Sequence, residues 1–185
     1  DDAGVDSVDA VFAGTVFCGP GTVQRALQTF GVVGVPIVTV ENACASGTTA
    51  FHEAVDSVRS GRYERVLALG VETMTSTFAG SIVPEETDRE GRQGLAMPAI
   101  YGMAATRYLS EYGATPEQLA AVSVKNHGHG VHNPRAARRR AVTLDEVLGS
   151  RMISDPLTVL QCCGMSDAAA AAVIGPGRGR AAGAD

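Results

Sequence analysis

The feature that most constrains this chain is the run Val38-Thr39-Val40-Glu41-Asn42-Ala43-Cys44-Ala45-Ser46-Gly47. The β-branched stretch 35–40 reads as a buried strand. A turn of small residues carries one cysteine, and a helical pattern follows with Phe51, Ala54, Val55 and Val58 on one face. A strand that turns sharply into a helix leaves Cys44 beside backbone N–H groups without intrahelical partners. The positive end of the helix dipole favours the thiolate there. Gly47 and its small neighbours give a substrate carbonyl room to approach, and backbone amides can hold a developing oxyanion. These are the needs of an acyl-accepting nucleophile. The same spacing also fits a buried cysteine that fills space beside a helix. The local pattern leaves both readings open.

At 185 residues the chain is one domain or a little more, long enough to bury roughly 70% of its unfolded surface. With 45% hydrophobic residues, 22 glycines and no tryptophan, it is a globular protein with small-residue packing and many turns. A net charge of −5 and a pI near 5.3 argue against nucleic acid as the main partner. No apolar run reaches the ~18 residues of a membrane span, and Asp1-Asp2 does not open a signal peptide. Four cysteines, two of them adjacent at Cys162 and Cys163, do not make a disulfide framework; reduced thiols and a cytoplasmic location are expected. There is no initiating methionine, and the Gly- and Arg-rich 175–183 reads as flexible. Both ends look cut, so a fragment is expected.

Along the chain, 7–12 alternates and predicts a strand that ends at Gly14. Pro20-Gly21 opens a short helical pattern through Val23, Ala26, Leu27 and Phe30. After the cysteine turn, the helix stops at Ser60-Gly61. The run 65–71 predicts a second strand, buried on both faces, so the two strands and their helix form a right-handed parallel crossover. A ligand in such a sheet sits at the carboxyl ends of the strands, where Cys44 lies. Residues 72–97 are polar and leave the sheet. Helices are predicted over 99–112, from the capping box at Thr115 to about Asn126, and from Thr143 to Leu148. Gly128, Gly130 and Asn133-Pro134 read as breaks, which puts His127, His129 and His132 on a loop. Asp155-Pro156 turns into 157–160. The alanine run 168–174 is helix by propensity; its flanking glycines also allow a buried strand.

Asn42-Ala43-Cys44-Ala45-Ser46-Gly47, the run 66–72 and the run 162–172 together resemble the N-terminal half of a thiolase. More narrowly, Lys125-Asn126-His127-Gly128-His129 with Asn133-Pro134, then Leu160-Gln161-Cys162-Cys163, resemble the sterol-carrier-protein (lipid-transfer) type, related to the acetyl-CoA acetyltransferases. The resemblance covers about 7–176. It implies an α/β fold: a mixed, mostly parallel sheet with helices on both faces, its core from 1–72 and 161–176. A helical and loop excursion at 73–160 is inserted, 177–185 is a tail, and the C-terminal half is absent. It also makes 168–174 a strand. Cys44 falls on the acylated nucleophile, and Asn42, Gly47, Cys162 and Cys163 on the active-site wall. Met103 falls near the contacts to the pantetheine of coenzyme A.

The implied activity is an acyltransferase of lipid metabolism acting on acyl-CoA or 3-ketoacyl-CoA thioesters, by thiolytic cleavage or Claisen condensation. Coenzyme A is then a substrate; no bound cofactor and no metal are implied. A homodimer is expected. Two alternatives are a retro-aldolase of the same fold that cleaves steroid side-chain CoA esters with a small accessory protein, and a non-catalytic acyl-CoA-binding subunit. The family's Gly-His-Pro histidine and later Cys-x-Gly cysteine are missing here, so this piece alone lacks a proton shuttle and is expected to be inactive. Glu41 is a further departure, since a carboxylate beside Cys44 disfavours the thiolate unless it points away. Arg135, Arg138, Arg139 and Arg140 form the only basic run, either a solvated face or, with Arg138 and Arg139 foremost, a contact for coenzyme A phosphates or a second subunit. Asp167 reads as a cap on the turn before the last strand.

Overall fold

The computed structural model describes residues 3–78, 80, 82 and 87–177. The acidic Pro84-Glu85-Glu86 and the predicted tail beyond Gly177 lie outside them. The chain divides into two units: one contains the chain up to Thr77 and from Ser166 on, the other residues 78–165.

The first unit is a four-stranded sheet in the order β2-β1-β3-β6. Strands β1 (Ala10–Gly14), β2 (Ile37–Val40) and β3 (Val66–Glu72) run parallel. The last strand, β6 (Ala168–Ile174), runs antiparallel to β3 in a continuous register from Glu72 opposite Ala168 to Val66 opposite Ile174. The alanine run is therefore a strand, against its helical propensity. Alternation sorts the sheet into two faces. Ala10 and Phe12 of β1 with Val66 and Ala68 of β3 pack against helix α2 (Ser46–Arg59). Val11 and Ala13, with Leu67, Leu69 and Val71 beside them, pack on the other face against Val23 and Leu27 of α1 (Thr22–Thr29). This is the mixed, mostly parallel sheet with helices on both faces. All five residues of β1 are buried, as expected for the inner strand of a covered sheet.

Two details differ from the periodicity reading. β2 is an edge strand and half exposed, with Val38 at 44%. The buried stripe of α2 is Ser46, Ala50, Ala54 and Ser57, while Phe51 faces outward at 46% exposure. The reason is close approach. A Cβ on Gly14 would overlap the Ser46 carbonyl, and one on Gly70 would lie 3.6 Å from the Gly47 Cα. Only small residues fit where a helix comes this near the strands.

The second unit is mainly helical. A short α3 (Met74–Thr77) closes the first of the two chain segments that make up the first unit. Then come α4 (Met97–Tyr112), α5 (Pro116–Val131) and α6 (Leu144–Leu148), followed by the hairpin β4 (Met152–Ser154) and β5 (Leu157–Thr158). The expected capping box is formed at Thr115 with Gln118, and the helix start expected at Thr143 forms a second, with Glu146. Ala120, Val142 and Val147 form the core, joined by Val124, Leu148 and Leu160. Gly102, the buried residue of α4, lies against Ser154, where a Cβ would come within 2.5 Å of its Oγ.

The break predicted near Asn126 is absent, and α5 continues through Gly128 and Gly130. His127 and His129 are helical, and His132 is the C-cap. Gly130 faces the returning chain, where a Cβ would come 2.6 Å from the Arg138 carbonyl oxygen. Its smallness serves packing and not a bend. Among the described residues no helix is long and apolar enough to cross a membrane.

Candidate active site

Strand β2 ends at Val40, and the chain turns into α2 within five residues. The turn needs an unusual backbone: Ala43 has φ 44°, the left-handed region that L-residues rarely occupy. Strain of this kind persists only where the surroundings over-determine it, and here they do. The Glu41 carboxylate accepts the Ala43 N–H at 2.6 Å. The Ser46 hydroxyl, on a residue 3% exposed, accepts the Asn42 N–H at 2.8 Å and donates to the Ala43 carbonyl at 2.7 Å. The Asn42 amide donates to the Thr49 hydroxyl at 3.1 Å, which ties the turn to the next turn of the helix. Glu41 is thus occupied in building the turn.

Cys44 is exposed and stands two positions before the first residue of α2. The N-cap, Ala45, has no side chain to close the first turn. Thr49 N–H makes the first i→i−4 bond, to the Ala45 carbonyl at 2.8 Å. The N–H groups of Gly47 and Thr48 precede it, in the turn that a helix leaves without internal acceptors. An exposed thiol beside such donors can attack a carbonyl carbon and have the resulting oxyanion held. Gly47 itself faces the sheet, 3.8 Å from Gly70 Cα when a Cβ is built on it. That is an ordinary van der Waals distance, and the close approach of α2 to the sheet is at Gly14.

The same carboxyl end of the sheet holds a second cluster that the sequence reading missed. Glu72, the last residue of β3, accepts the Val16 N–H at 2.8 Å, the Phe17 N–H at 3.1 Å, the Thr15 hydroxyl at 3.3 Å and the Cys18 thiol at 3.5 Å. Partial burial pushes its carboxyl up, but these donors together outweigh that and hold it below the ordinary carboxylate range. The signal in the sequence was a lone carboxylate closing an apolar strand. Asp167 accepts the N–H of Thr75 at 2.8 Å and its hydroxyl as well, and those two bonds lower its pKa. It anchors the connection after β3 and not the turn before β6, a partner 92 residues away that no local pattern names.

In the second unit, Arg138 donates to the Cys162 carbonyl at 3.0 Å, and its guanidinium lies against Gly164. A cavity of about 340 Å³ there is lined by Ser123, Asn126, His127, Arg138, Cys162 and Cys163, among others. Burial pushes the Cys162 thiol up, the adjacent Cys163 adds to this, and Arg138 opposes it. Arg139 and Arg140 line a smaller cavity of about 280 Å³ with His127 and Arg138. Arg140 also pairs with Glu146 at 2.7 Å, so the basic run is partly spent on its own unit. Met103 stands on α4 at 58% exposure. Among the described residues no group of three or more His, Cys, Asp or Glu could hold a metal ion.

Comparison with known proteins gives a consistent picture. Residues 2–177 match the family described as thiolase, N-terminal domain. The acetyl-CoA acetyltransferase of Methanothermobacter thermautotrophicus is 38% identical over 186 residues, spanning 95% of this chain and 49% of that protein. Sterol carrier protein 2 of Gallus gallus is 37% identical over 188 residues, 94% of this chain and 34% of that one. The chain thus spans about half the length, or less, of these relatives. Among solved structures, the Ltp2-ChsH2(DUF35) aldolase superposes with a TM-score of 0.73 at 27% identity, over 90% of this chain and 44% of that chain.

Proposed function

We infer the function from one premise: this chain belongs to the thiolase family, carrying its N-terminal domain. We propose that the full-length protein is an acyltransferase acting on acyl-CoA or 3-ketoacyl-CoA thioesters, with Cys44 as the covalently acylated nucleophile. The observation that carries this reading is the exposed Cys44 thiol, two positions ahead of α2, at a first turn with no side-chain cap. In the reaction, the Cys44 sulfur attacks the thioester carbonyl carbon and a C–S bond forms. The oxyanion is held by backbone N–H groups of the first turn of α2. The bond to the sulfur of coenzyme A then breaks, and the departing thiolate takes up a proton. The acyl group passes to a second acceptor, another coenzyme A or a carbanion. That step needs a proton shuttle, which the resemblance assigns to the C-terminal half. Asn42 holds the turn, and Met103, Arg138, Arg139, Cys162 and Cys163 are candidates for contact with the substrate. A homodimer in a reducing, cytoplasmic setting belongs to the same proposal, and four free cysteines are compatible with it.

The test is direct. Full-length protein is incubated with acetyl-CoA and digested, and the adduct is located by mass spectrometry. Acetyl mass on Cys44, absent in Cys44→Ser, is expected; acetyl mass elsewhere, or none, removes the reading.

A second reading is a retro-aldolase, favoured by the 27% identity to the Ltp2-ChsH2(DUF35) aldolase. A Cys44→Ser protein that retains full carbon–carbon cleavage, together with an accessory protein that co-purifies, would select it.

A further inference from the structure

The Glu72 cluster belongs to no step described above, yet it lies at the edge of the sheet where Cys44 is presented. β1 is the strand between β2, which leads into the Cys44 turn, and β3, which ends at Glu72. The loop that leaves β1 is Thr15–Val16–Phe17–Cys18, and every one of its four residues donates a hydrogen bond to the Glu72 carboxylate. Three of the donors, the Thr15 hydroxyl, the Phe17 N–H and the Cys18 thiol, converge on Oε1, and the Val16 N–H binds Oε2, so both oxygens are engaged by the loop.

The other side of the same loop is joined to the nucleophile turn. Thr15 N–H donates to the Val40 carbonyl at 3.3 Å, at the point where β2 gives way to the Glu41–Cys44 turn. Gly14, the residue before it, is so close to the start of α2 that a Cβ would collide with the Ser46 carbonyl and lie 2.5 Å from Gly47 N. Ser46 in turn binds both Asn42 and Ala43. A continuous set of backbone and side-chain contacts therefore runs from Glu72 through 14–18 to the residues flanking Cys44.

We propose that Glu72 is a positioning residue: its carboxylate sets the 15–18 loop, and through Gly14, Val40 and Ser46 it fixes the turn that presents Cys44. The proposal rests on Cys44 being the acylated nucleophile. Removing the negative charge turns one acceptor oxygen into an N–H₂ group facing backbone N–H donors, so the loop must move. Misplacement of about 1 Å in a group that orients a reaction costs up to about a hundredfold in rate.

The experiment uses the full-length protein and two readouts: the rate of acetyl transfer from acetyl-CoA to Cys44, and amide hydrogen exchange over 15–18 and 41–46, which needs no substrate. For Glu72→Gln we expect transfer at saturating acetyl-CoA to slow by about tenfold or more while the half-saturating concentration changes little, the pattern of an orientation defect. Exchange is expected to quicken in both segments. Glu72→Asp, which keeps the charge on a shorter arm, should recover part of the rate. A folded Glu72→Gln protein with transfer within about twofold of wild type overturns the proposal. So does exchange that rises over 15–18 and stays unchanged over 41–46. If Glu72→Gln does not fold, Thr15→Val and Cys18→Ala each remove one side-chain donor and carry the same test: faster exchange in both segments supports the linkage, and unchanged exchange over 41–46 defeats it. Wild-type protein that takes no acetyl group on Cys44 refutes the nucleophile reading instead, and the exchange result still decides the linkage.

Discussion

At the scale of single residues, the Cys44 turn is held by the side chains of Glu41, Asn42 and Ser46. Ser46 accepts from Asn42 and donates to Ala43, so its hydroxyl satisfies backbone groups on both sides of the positive-φ residue. Ser46→Ala is expected to lower stability by about 1–2 kcal/mol, the net loss of such hydrogen bonds plus the cost of a donor left unmet. Urea denaturation of the full-length protein measures it, and a loss under about 0.3 kcal/mol would show that the Ser46 hydroxyl does not hold the turn.

At the scale of elements, glycines separate close packing from flexibility. Gly14 and Gly70 are register partners on neighbouring strands, yet their surroundings differ. Gly14→Ala forces its Cβ into the Ser46 backbone and should cost about 1–3 kcal/mol or more. Gly70→Ala makes an ordinary 3.6 Å contact and should be neutral or stabilising by up to about 1 kcal/mol. Equal losses from the two would mean that α2 does not sit on the sheet as described. A second pair lies on α5. Gly128 meets nothing within 4 Å, so Gly128→Ala should raise stability by about 1 kcal/mol through helix propensity. Gly130→Ala should lower it, because the Arg138 carbonyl is in the way. Urea midpoints of the four variants check both pairs.

At the scale of the whole molecule, three carboxylates tie elements of the first unit together. Asp9 accepts the N–H groups of Glu64 and Arg65 at 2.9 and 2.8 Å, which joins the amino ends of β1 and β3. Glu72 and Asp167 do the corresponding work at the other end. Hydrogen bonds from backbone and hydroxyl donors hold all three below their ordinary values, Glu72 in spite of its partial burial. A carboxylate depressed in the folded state contributes its full stability above the unfolded pKa and loses it as pH falls through the folded pKa. Stability should therefore stay flat from neutral pH to about 4.5, the ordinary glutamate value, and then decline. Glu72→Gln should shrink that decline. Urea unfolding from pH 7 to 3 tests it; an unchanged slope in the variant would show that Glu72 takes no part.

What the sequence determined by itself is local. The two capped helix starts were legible because each bonds a side chain to a backbone group three residues away. The strand–turn–helix around Cys44 was legible because β-branched and helical periods meet there. The strand character of 168–174 was not legible from propensity and needed the resemblance; pairing with β3 overrides what alanine prefers. Tertiary structure alone decided the rest. It made β2 an edge, turned the buried stripe of α2 to its small residues, and carried α5 past two glycines. It also brought residues 15–18 to Glu72. Those contacts join residues far apart in the chain. They form only when parallel strands set their ends side by side, and an arrangement of that kind leaves no period or spacing in the sequence to be read.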